Sequence, residues 1–376
     1  MKITRTIRKS LLTLFLILLP GITTGTEQLT LRMLVWDGYA PVEAQERFHA
    51  MILDQYDVDL QYQIESASNP DTYFNKIRSG QVDIISPAHN LPRDSRYNLT
   101  DNGLTLPINL ENIPNYSKLI PELARQHWAM NQGDVYAVPI VHGFYSLAYN
   151  SAVIHEAPTS WAIFWDPKYA GRFSVNLDYY ELNVYIALLA MGKRKEDIFH
   201  YDSIKGDLLE KQLHYLAKNA GSFWRGYDQP ENYRDVILAT TWRFTFPDEM
   251  AAFKDWRIAD PVEGTPWTID TIMLSKSLKD EPLKKKIAEL WINFLLEPDN
   301  QLSIFARKLG TCPVTAEAWD IYTNDMLEPH ERERLFRLFN NLIPWQILER
   351  RDRNAFHLLW REALDGRDDH HSVQTN

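Results

Sequence analysis

The chain has 376 residues, and its hydrophobic content of 45% and charged content of 24% are globular values that argue against a disordered chain. Its formal net charge of −10 argues against nucleic acid as a partner, since phosphate backbones are bound by an excess of Lys and Arg. The single cysteine excludes an intrachain disulfide and a CxxC metal or redox motif.

The first 25 residues are predicted to be a cleaved secretory signal peptide. Four Lys and Arg residues precede a short apolar segment, residues 11–19, which ends at Pro20-Gly21. That segment is too short to span a bilayer comfortably, so an uncleaved anchor is the lesser alternative. Because no cysteine lies near the expected cleavage point, we expect no lipid anchor. Removing the four basic residues changes the net charge from −10 to −14, which favours a cationic ligand.

The next part of the chain alternates between predicted strands and helices. Pro41 suits the first position of one helix, and Asn69-Pro70-Asp71 opens another that Gly80 ends. The predicted strands lie at residues 31–35, 58–64 and 82–85, and the first helix runs to about residue 51. This β-α-β-α-β order predicts a mainly parallel sheet with helices on both faces.

The remaining chain predicts a second α/β unit and a helical end. Further strands are predicted at residues 136–140, 144–150, 173–177, 236–241 and 269–274. The first two and the last of these are candidates for the segments that cross between two lobes. From Pro282 onward the pattern is mostly helical, with an amphipathic stretch at 349–364.

These elements predict two lobes that share the chain. The first lobe is expected to contain residues 26–138 plus about 270–315. The second is expected to contain residues 139–269 plus about 316–364, including the C-terminal helices. A polar tail, residues 365–376, follows.

The stretch Asp178-Tyr179-Tyr180-Glu181 places two carboxylates three residues apart, between an apolar strand-like run and an apolar helical run. Asp178 could cap the helix, with Glu181 completing a capping-box-like pair, and the local pattern favours this interpretation because caps are common. The alternative is a ligand site, since the turn after a strand of an open α/β sheet is where ligands bind. Two acids beside flat rings would suit an organic ammonium.

Several segments between about residues 30 and 350 resemble, in the same order, the spermidine/putrescine-binding proteins of bacterial periplasms. The segments are Trp36-x-x-Tyr39-x-Pro41, Tyr136-x-x-Pro139-x-x-x-Gly143, Thr159-Ser160-Trp161-x-x-Phe164-Trp165-x-Pro167-x-Tyr169-x-Gly171, Asn293-Phe294-Leu295-Leu296-x-Pro298-Asp299 and Trp345-Gln346. Each motif is weak alone, and the ordered set is specific. The resemblance implies a two-lobed periplasmic binding protein of type II, with a mainly parallel, helix-flanked sheet in each lobe and a cleft between the lobes.

The resemblance also implies a polyamine ligand, whose ammonium groups meet acidic side chains and whose methylenes lie along aromatic rings. The ligand-binding positions that it implies are Trp36, Asp37, Tyr39, Asn90, Asp178, Glu181, Trp242, Trp267, Asp270 and Gln346. The family's Ser and Tyr after the third strand become Ala88 and Asn90, and a further aromatic position shifts to Trp267 or Thr268. Another Tyr position becomes Thr311, so the preferred polyamine stays open.

The chemistry of the residues agrees with this expectation. Desolvating an ammonium is costly unless carboxylates and carbonyls replace water, and each cation–π contact adds about 0.5–2 kcal/mol. Asp270 is an acid within an apolar strand, so we expect a bound cation or a basic neighbour to neutralise its charge. Trp161 and Trp165, at helical spacing, are interpreted as packing residues.

Two other classes of function remain as alternatives. Tyr179-Tyr180 could mimic the tyrosine pair of ferric-iron binders, although no His, Cys and carboxylate grouping has metal-site spacing. His89 and His142 are interpreted as hydrogen-bonding residues, and no cofactor is expected. An enzyme is not expected, because the sequence has no nucleophile elbow, phosphate loop or HExxH motif. Cys312 is interpreted as a small buried residue.

The resemblance leaves two outputs open. Some members of the family deliver polyamine to an ABC permease, and others report polyamine occupancy to an inner-membrane receptor. In its length, diverged pocket and lack of a lipid anchor the chain is similar to the norspermidine-sensing branch, which couples to cyclic-di-GMP turnover. Either output implies a monomer in the periplasm whose mature chain is not inserted in the membrane.

Overall fold

The computed structural model describes residues 26–67, 69–246 and 251–366. The predicted signal peptide and residues 367–376 of the predicted tail lie outside the described residues. Within them, two separate β-sheets flanked by helices form two α/β lobes, as the sequence predicts. The described helices are all too short or too polar to cross a membrane.

The strands of the described residues fall into two large sheets and one hairpin. They are β1 (Glu27–Val35), β2 (Val58–Ser66), β3 (Ile84–Ile85), β4 (Thr105–Leu106), β5 (Met130–Asn131), β6 (Asp134–Val135), β7 (Val138–Phe144), β8 (Ser146–Asn150), β9 (Phe173–Asn176), β10 (Ser222–Trp224), β11 (Leu238–Thr241), β12 (Trp256–Ile258), β13 (Thr265–Ser275) and β14 (Leu342–Pro344). The hairpin pairs β5 with β6.

The α-helices flank both sheets. They are α1 (Val42–Tyr56), α2 (Pro70–Arg78), α3 (Tyr180–Ala190), α4 (Tyr201–Ile204), α5 (Asp207–Asn219), α6 (Pro282–Leu295), α7 (Pro298–Asn300), α8 (Ala316–Ile321), α9 (Pro329–Phe339) and α10 (Arg350–Asp365). Two π-helical segments, Gln301–Lys308 and Tyr322–Met326, extend α7 and α8. Short 3-10 helices lie at Leu110–Asn112, Pro114–Lys118, His127–Ala129, Trp161–Trp165, Pro167–Tyr169, Pro230–Tyr233, Ala251–Phe253 and Lys276–Leu278.

The first sheet, which defines the first lobe, has the strand order β14-β13-β3-β1-β2, with β4 and β7 paired to β13. Strand β1 runs parallel to both β2 and β3, as the β-α-β-α-β order predicts. Strand β13 runs antiparallel to β3, β4 and β7. The sheet is therefore mixed, because the strand that returns from the other lobe enters against the direction of the first three.

The second sheet, which defines the second lobe, has the strand order β10-β9-β11-β8-β12. Strand β9 pairs in parallel with β10 and β11, whereas β8 is antiparallel to β11 and β12. The central strands of each sheet are thus parallel, whereas the strands that enter from the other lobe, β8 and β13, are antiparallel to their neighbours β11 and β3. Helix α10 packs on α3 and α5 and so belongs to the second lobe.

Local sequence explains where the first helices lie. In α1 the buried residues Ala44, Phe48 and Ile52 recur every four positions, which places one apolar face on the sheet. Asn69 caps α2 by accepting a hydrogen bond from the backbone N–H of Asp71 at 2.8 Å. Helix α1 continues five residues beyond the predicted end at 51, to Tyr56.

The chain changes sheet between β7 and β8, at Tyr145, and returns between β12 and β13. These points lie a few residues from the lobe boundaries that the sequence predicts at 138/139 and 269/270. Segment 316–344 packs beside Phe144, next to the first crossing, and ends in β14, which extends the first sheet. Trp161 and Trp165 pack as predicted, with indole N–H groups that donate to the carbonyls of Gly264 and Gln212.

Gly310 fixes the junction beneath the crossing strands, because its carbonyl accepts a hydrogen bond from the N–H of Phe244 at 2.7 Å. Its φ is +64°, and a Cβ there would lie 2.1 Å from the carbonyl oxygen of Thr245. We therefore expect Gly310→Ala to lower the free energy of unfolding by more than about 2 kcal/mol in urea denaturation.

Gly80→Ala is the matched control, since Gly80 has φ +69° but no heavy atom within 4 Å of an added Cβ. In that variant the free energy of unfolding should fall by only about 1 kcal/mol, which is the cost of placing an alanine in the left-handed backbone conformation. Equal losses in the two variants would show that the contact with Thr245 does not constrain the junction.

Candidate ligand-binding site

Two adjoining cavities lie between the lobes. The outer cavity has a volume of about 450 Å³, and its walls come from both lobes and from α10. The inner chamber is much smaller, about 20 Å³, and Asp270 lines it. Trp36 and Trp345 line both spaces, so the two indoles separate the inner chamber from the outer cavity.

Asp270 lies on β13 and is 9% exposed. The Tyr39 hydroxyl donates to Oδ2 at 2.5 Å, while Oδ1 has no hydrogen-bond partner among the described residues. The register of β13 against β7 shifts between Asp270 and Thr271, and such irregularities redirect side chains. Burial raises the pKa of Asp270 from 3.8 to about 7, against the opposing effect of the Tyr39 hydrogen bond. The inner chamber therefore contains a desolvated carboxyl group with one open oxygen.

Glu181 lies in the first turn of α3 and faces the outer cavity. Its carboxylate accepts hydrogen bonds from the indole N–H of Trp345 and from the Tyr180 hydroxyl. Burial raises its pKa, and these two hydrogen bonds oppose the rise. No Lys, Arg or His of the described ranges forms an ion pair with either Glu181 or Asp270.

The turn before α3 contradicts the capping interpretation of Asp178. The helix begins at Tyr180, and no side-chain hydrogen bond caps it. Instead, the Asn176 side-chain oxygen accepts from the N–H groups of Asp178 and Tyr179 at 2.7 and 2.9 Å. This leaves the Asp178 carboxylate free to line the outer cavity, where it pairs with Arg225.

An aromatic cluster lines the space between the acids. The rings of Trp242 and Trp345 stack with centroids 6.1 Å apart, and Tyr179 meets Trp242 edge-on at 5.1 Å. Buried Asp228 fixes Trp242 by accepting its backbone N–H at 2.9 Å, and Arg243 neutralises that carboxylate at 3.0 Å. A buried ion pair thus fixes the backbone of Trp242 behind the cluster.

The lobes are closed over these cavities. Asp94 of the first lobe accepts a hydrogen bond from Arg353 of α10 at 3.1 Å, and both side chains are buried. The Tyr227 hydroxyl of the second lobe donates to the carbonyl of Leu309, and the side chain of Leu309 lies against Gly38 of the first lobe. An enclosed site of this shape can surround a small ligand and remove it from water.

The structure brings most of the predicted site residues together. The outer cavity is lined by Trp36, Asn90, Asp178, Glu181 and Gln346, and the inner chamber by Trp36, Tyr39, Trp242 and Asp270. Two predicted residues lie outside both spaces.

Asp37 is exposed to solvent in the turn after β1, and Trp267 stacks on His89 with centroids 6.1 Å apart. Thr268 lines the inner chamber instead of Trp267, because successive residues of a strand point to opposite faces and Asp270 shares the face of Thr268.

Sequence reasoning missed several residues that line the site. They include Tyr73, Asp94, Arg96, Arg225, Tyr227, Trp345 and Arg353. For Trp345 the sequence does carry a signal, because the residue belongs to the Trp345-Gln346 motif of the family resemblance. The others carry no local signal, because their positions follow from tertiary packing.

The tyrosine pair considered for iron and the single cysteine have other surroundings. The Tyr179 hydroxyl donates to the carbonyl of Gly226 at 2.8 Å, whereas the Tyr180 ring lies 5.1 Å from His357. The described residues contain no group of three or more His, Cys, Asp or Glu that could hold a metal ion. Cys312 is buried, and burial raises the pKa of its thiol, which makes it a poor nucleophile.

Comparison with known proteins gives consistent results. The family described as bacterial extracellular solute-binding protein matches residues 80–336. The spermidine/putrescine-binding periplasmic protein of Escherichia coli K12 is 23% identical over 277 residues, which are 72% of this chain and 73% of that protein.

Two solved structures share the fold. The chain is similar to the spermidine/putrescine ABC transporter substrate-binding protein PotD of Streptococcus pneumoniae, with a TM-score of 0.67 and 18% identity, covering 90% of this chain and 99% of that one. A putative spermidine/putrescine ABC transporter from Listeria monocytogenes has a TM-score of 0.70 and 18% identity, covering 89% and 98%. At these identities the likeness establishes the two-lobed fold.

The buried state of Asp270 predicts how stability depends on pH. Since its pKa is about 7 in the folded chain and 3.8 as a reference, the folded state binds more protons between these values, and stability falls as pH rises through them. Asp270→Asn removes this dependence. Without added ligand, we expect the wild-type free energy of unfolding, relative to the variant, to fall by on the order of 4 kcal/mol between pH 4 and pH 8.

Urea denaturation of both proteins at several pH values measures this difference, because all other titrating groups are shared. Parallel curves for the two proteins would contradict the assignment of Asp270 as a desolvated acid.

Proposed function

The chain belongs to the bacterial extracellular solute-binding proteins, and we propose that it binds a linear polyamine between its two lobes. The observation that carries the proposal is a pair of buried carboxylates, Asp270 and Glu181, neither of which forms an ion pair among the described residues; Arg96 acts on Glu181 only at longer range. They lie on either side of Trp345. A ligand with at least two ammonium groups on a narrow chain supplies the missing charges.

The charge argument favours a cation over a neutral or anionic solute. Removing a carboxylate from water is costly, and a bound ammonium compensates when it is hydrogen-bonded to the acid. Tyr39 satisfies only one oxygen of Asp270, so Oδ1 remains as an acceptor. The inner chamber of about 20 Å³ has room for one water molecule or one ammonium group, and not for a sugar or an amino acid.

The rings favour an alkyl amine over a metal ion. Trp36, Trp242 and Trp345 provide apolar walls next to the acids, on which methylene groups can pack. The same faces attract ammonium groups, each contact contributing about 0.5–2 kcal/mol. A ferric ion would use neither property, and the two tyrosine hydroxyls that could bind it have different surroundings.

The relatives support the same ligand class, since the E. coli protein is named for spermidine and putrescine binding. Together with the family assignment, this supports export through the N-terminal segment and a periplasmic location. We propose that the closed, ligand-bound chain acts as a monomer and is recognised by a partner in the inner membrane. The names of the structural relatives favour a polyamine ABC permease as that partner. The similarity to the norspermidine-sensing branch favours a receptor that controls cyclic-di-GMP.

Binding of spermidine, norspermidine and putrescine to the mature protein, measured by calorimetry, tests the ligand class. Glu181→Gln and Asp270→Asn should each weaken binding by about 2–5 kcal/mol, or roughly 30-fold to several-thousand-fold, because each removes one partner of a buried charge pair. Asp54→Asn is the matched control, since this exposed acid of α1 lines neither cavity.

The proposal is wrong if no polyamine binds, or if a sugar or ferric iron binds instead. An equal loss of affinity in Asp54→Asn and in the two site variants would show that the effect comes from the overall negative charge of the protein and not from these two carboxylates.

The output is tested in cells that lack the protein. Loss of uptake of radiolabelled polyamine identifies a permease as the partner. Unchanged uptake together with an altered response of cyclic-di-GMP to added polyamine identifies a receptor. Restoring the wild-type chain should reverse either effect, and restoring Asp270→Asn should not.

A further inference from the structure

The outer cavity carries as many guanidinium groups as carboxylates. Four carboxylates line it, those of Asp71, Asp94, Asp178 and Glu181, and four guanidinium groups face them, those of Arg96, Arg225, Arg353 and Arg361. A cavity that received a polycation by charge alone would have an excess of acids. The positive groups therefore restrict which acids a ligand can use.

The acids differ in how they are satisfied. Asp94 pairs with Arg96 at 2.9 Å and with Arg353 at 3.1 Å, so it is neutralised within the protein. Asp71 is exposed to solvent and accepts a hydrogen bond from the Tyr97 hydroxyl at 2.5 Å. Asp178 pairs with Arg225. Of the acids that line the two spaces, Glu181 and Asp270 are the buried ones without an ion-pair partner in the described part of the chain.

Arg225 is the most exposed of the paired arginines that line the outer cavity. Its side chain is 67% exposed, whereas that of Arg353 is 3% exposed. An exposed ion pair of this kind contributes little to stability, so the guanidinium can leave Asp178 without disturbing the fold. Arg225 follows β10 and precedes Gly226, which has a positive φ of 59°, so it lies at a turn on the rim of the cavity.

We propose that Arg225 is a specificity-determining residue that acts as an internal cation at Asp178; this inference rests on the proposed polyamine function. A diamine satisfies Asp270 and Glu181 and leaves the Arg225–Asp178 pair intact. A third ammonium group must displace the guanidinium to reach Asp178. Arg225 thereby lowers the preference of the site for triamines over diamines, and its charge and contact with Asp178 are both required.

The test compares the dissociation constants of putrescine and norspermidine, measured by calorimetry on wild type and Arg225→Gln. The variant should bind norspermidine about fivefold or more tightly than wild type, while its affinity for putrescine changes less than about twofold. Arg225→Lys, which keeps the charge, should retain the wild-type ratio. Arg194→Gln controls for the loss of one positive charge, since Arg194 forms an exposed pair with Asp197 away from both cavities.

A double-mutant cycle shows whether the effect passes through Asp178. In an Asp178→Asn background, Arg225→Gln should no longer change the ratio of the two dissociation constants. An unchanged ratio in Arg225→Gln, an equal change for both amines, or the same change in Arg194→Gln would each overturn the role of Arg225. If the wild-type chain binds neither amine, the proposed function itself fails, and this outcome is distinct from binding with an unchanged ratio.

Discussion

The site depends on one unfavourable condition, the burial of the Asp270 carboxyl group without a counter-ion. The hydroxyl of Tyr39 satisfies one oxygen, and the small chamber keeps water from surrounding the other. Such a group is tolerated only where the surrounding structure fixes it, and here the long strand β13 does so through its pairing with β3, β7 and β14. The fold thus holds in place a buried acid that forms no ion pair with any described residue.

The other parts of the cleft support this condition in different ways. The buried pair of Asp228 and Arg243 positions Trp242 without contributing net charge, so the walls remain apolar next to the acid. The pair of Asp94 and Arg353 joins the two lobes. Buried ion pairs give position more than stability, because the cost of desolvation offsets the attraction. The cleft therefore uses paired charges for its frame, and in the proposed function its unpaired acids bind the ligand.

The sequence was sufficient for the fold class and for the parallel core of the first sheet, and eight of the ten site residues that it implied line the cavities, because these follow from strand and helix patterns and from ordered motifs. It was insufficient where a longer-range contact decided the outcome. Asp178 has the local pattern of a helix cap, but Asn176 makes the turn and releases it. Trp267 and Thr268 are neighbours whose faces depend on the register of β13. The partners Arg225 and Arg353 lie 47 and 259 residues from the acids they meet, beyond any local pattern.

The separation of the site residues along the chain has a consequence for folding kinetics. Tyr39 and Asp270 are 231 residues apart, and Glu181 and Trp345 are 164 apart. Contacts of such high sequence separation form late, since the closure of long loops must precede them. A nascent or partly translocated chain that ends before Trp345 has both buried acids but lacks the indole that lies between them. A ligand bound at this site can therefore stabilise the completed fold only. It cannot assist the early steps of folding, which must proceed from the local β-α-β units alone.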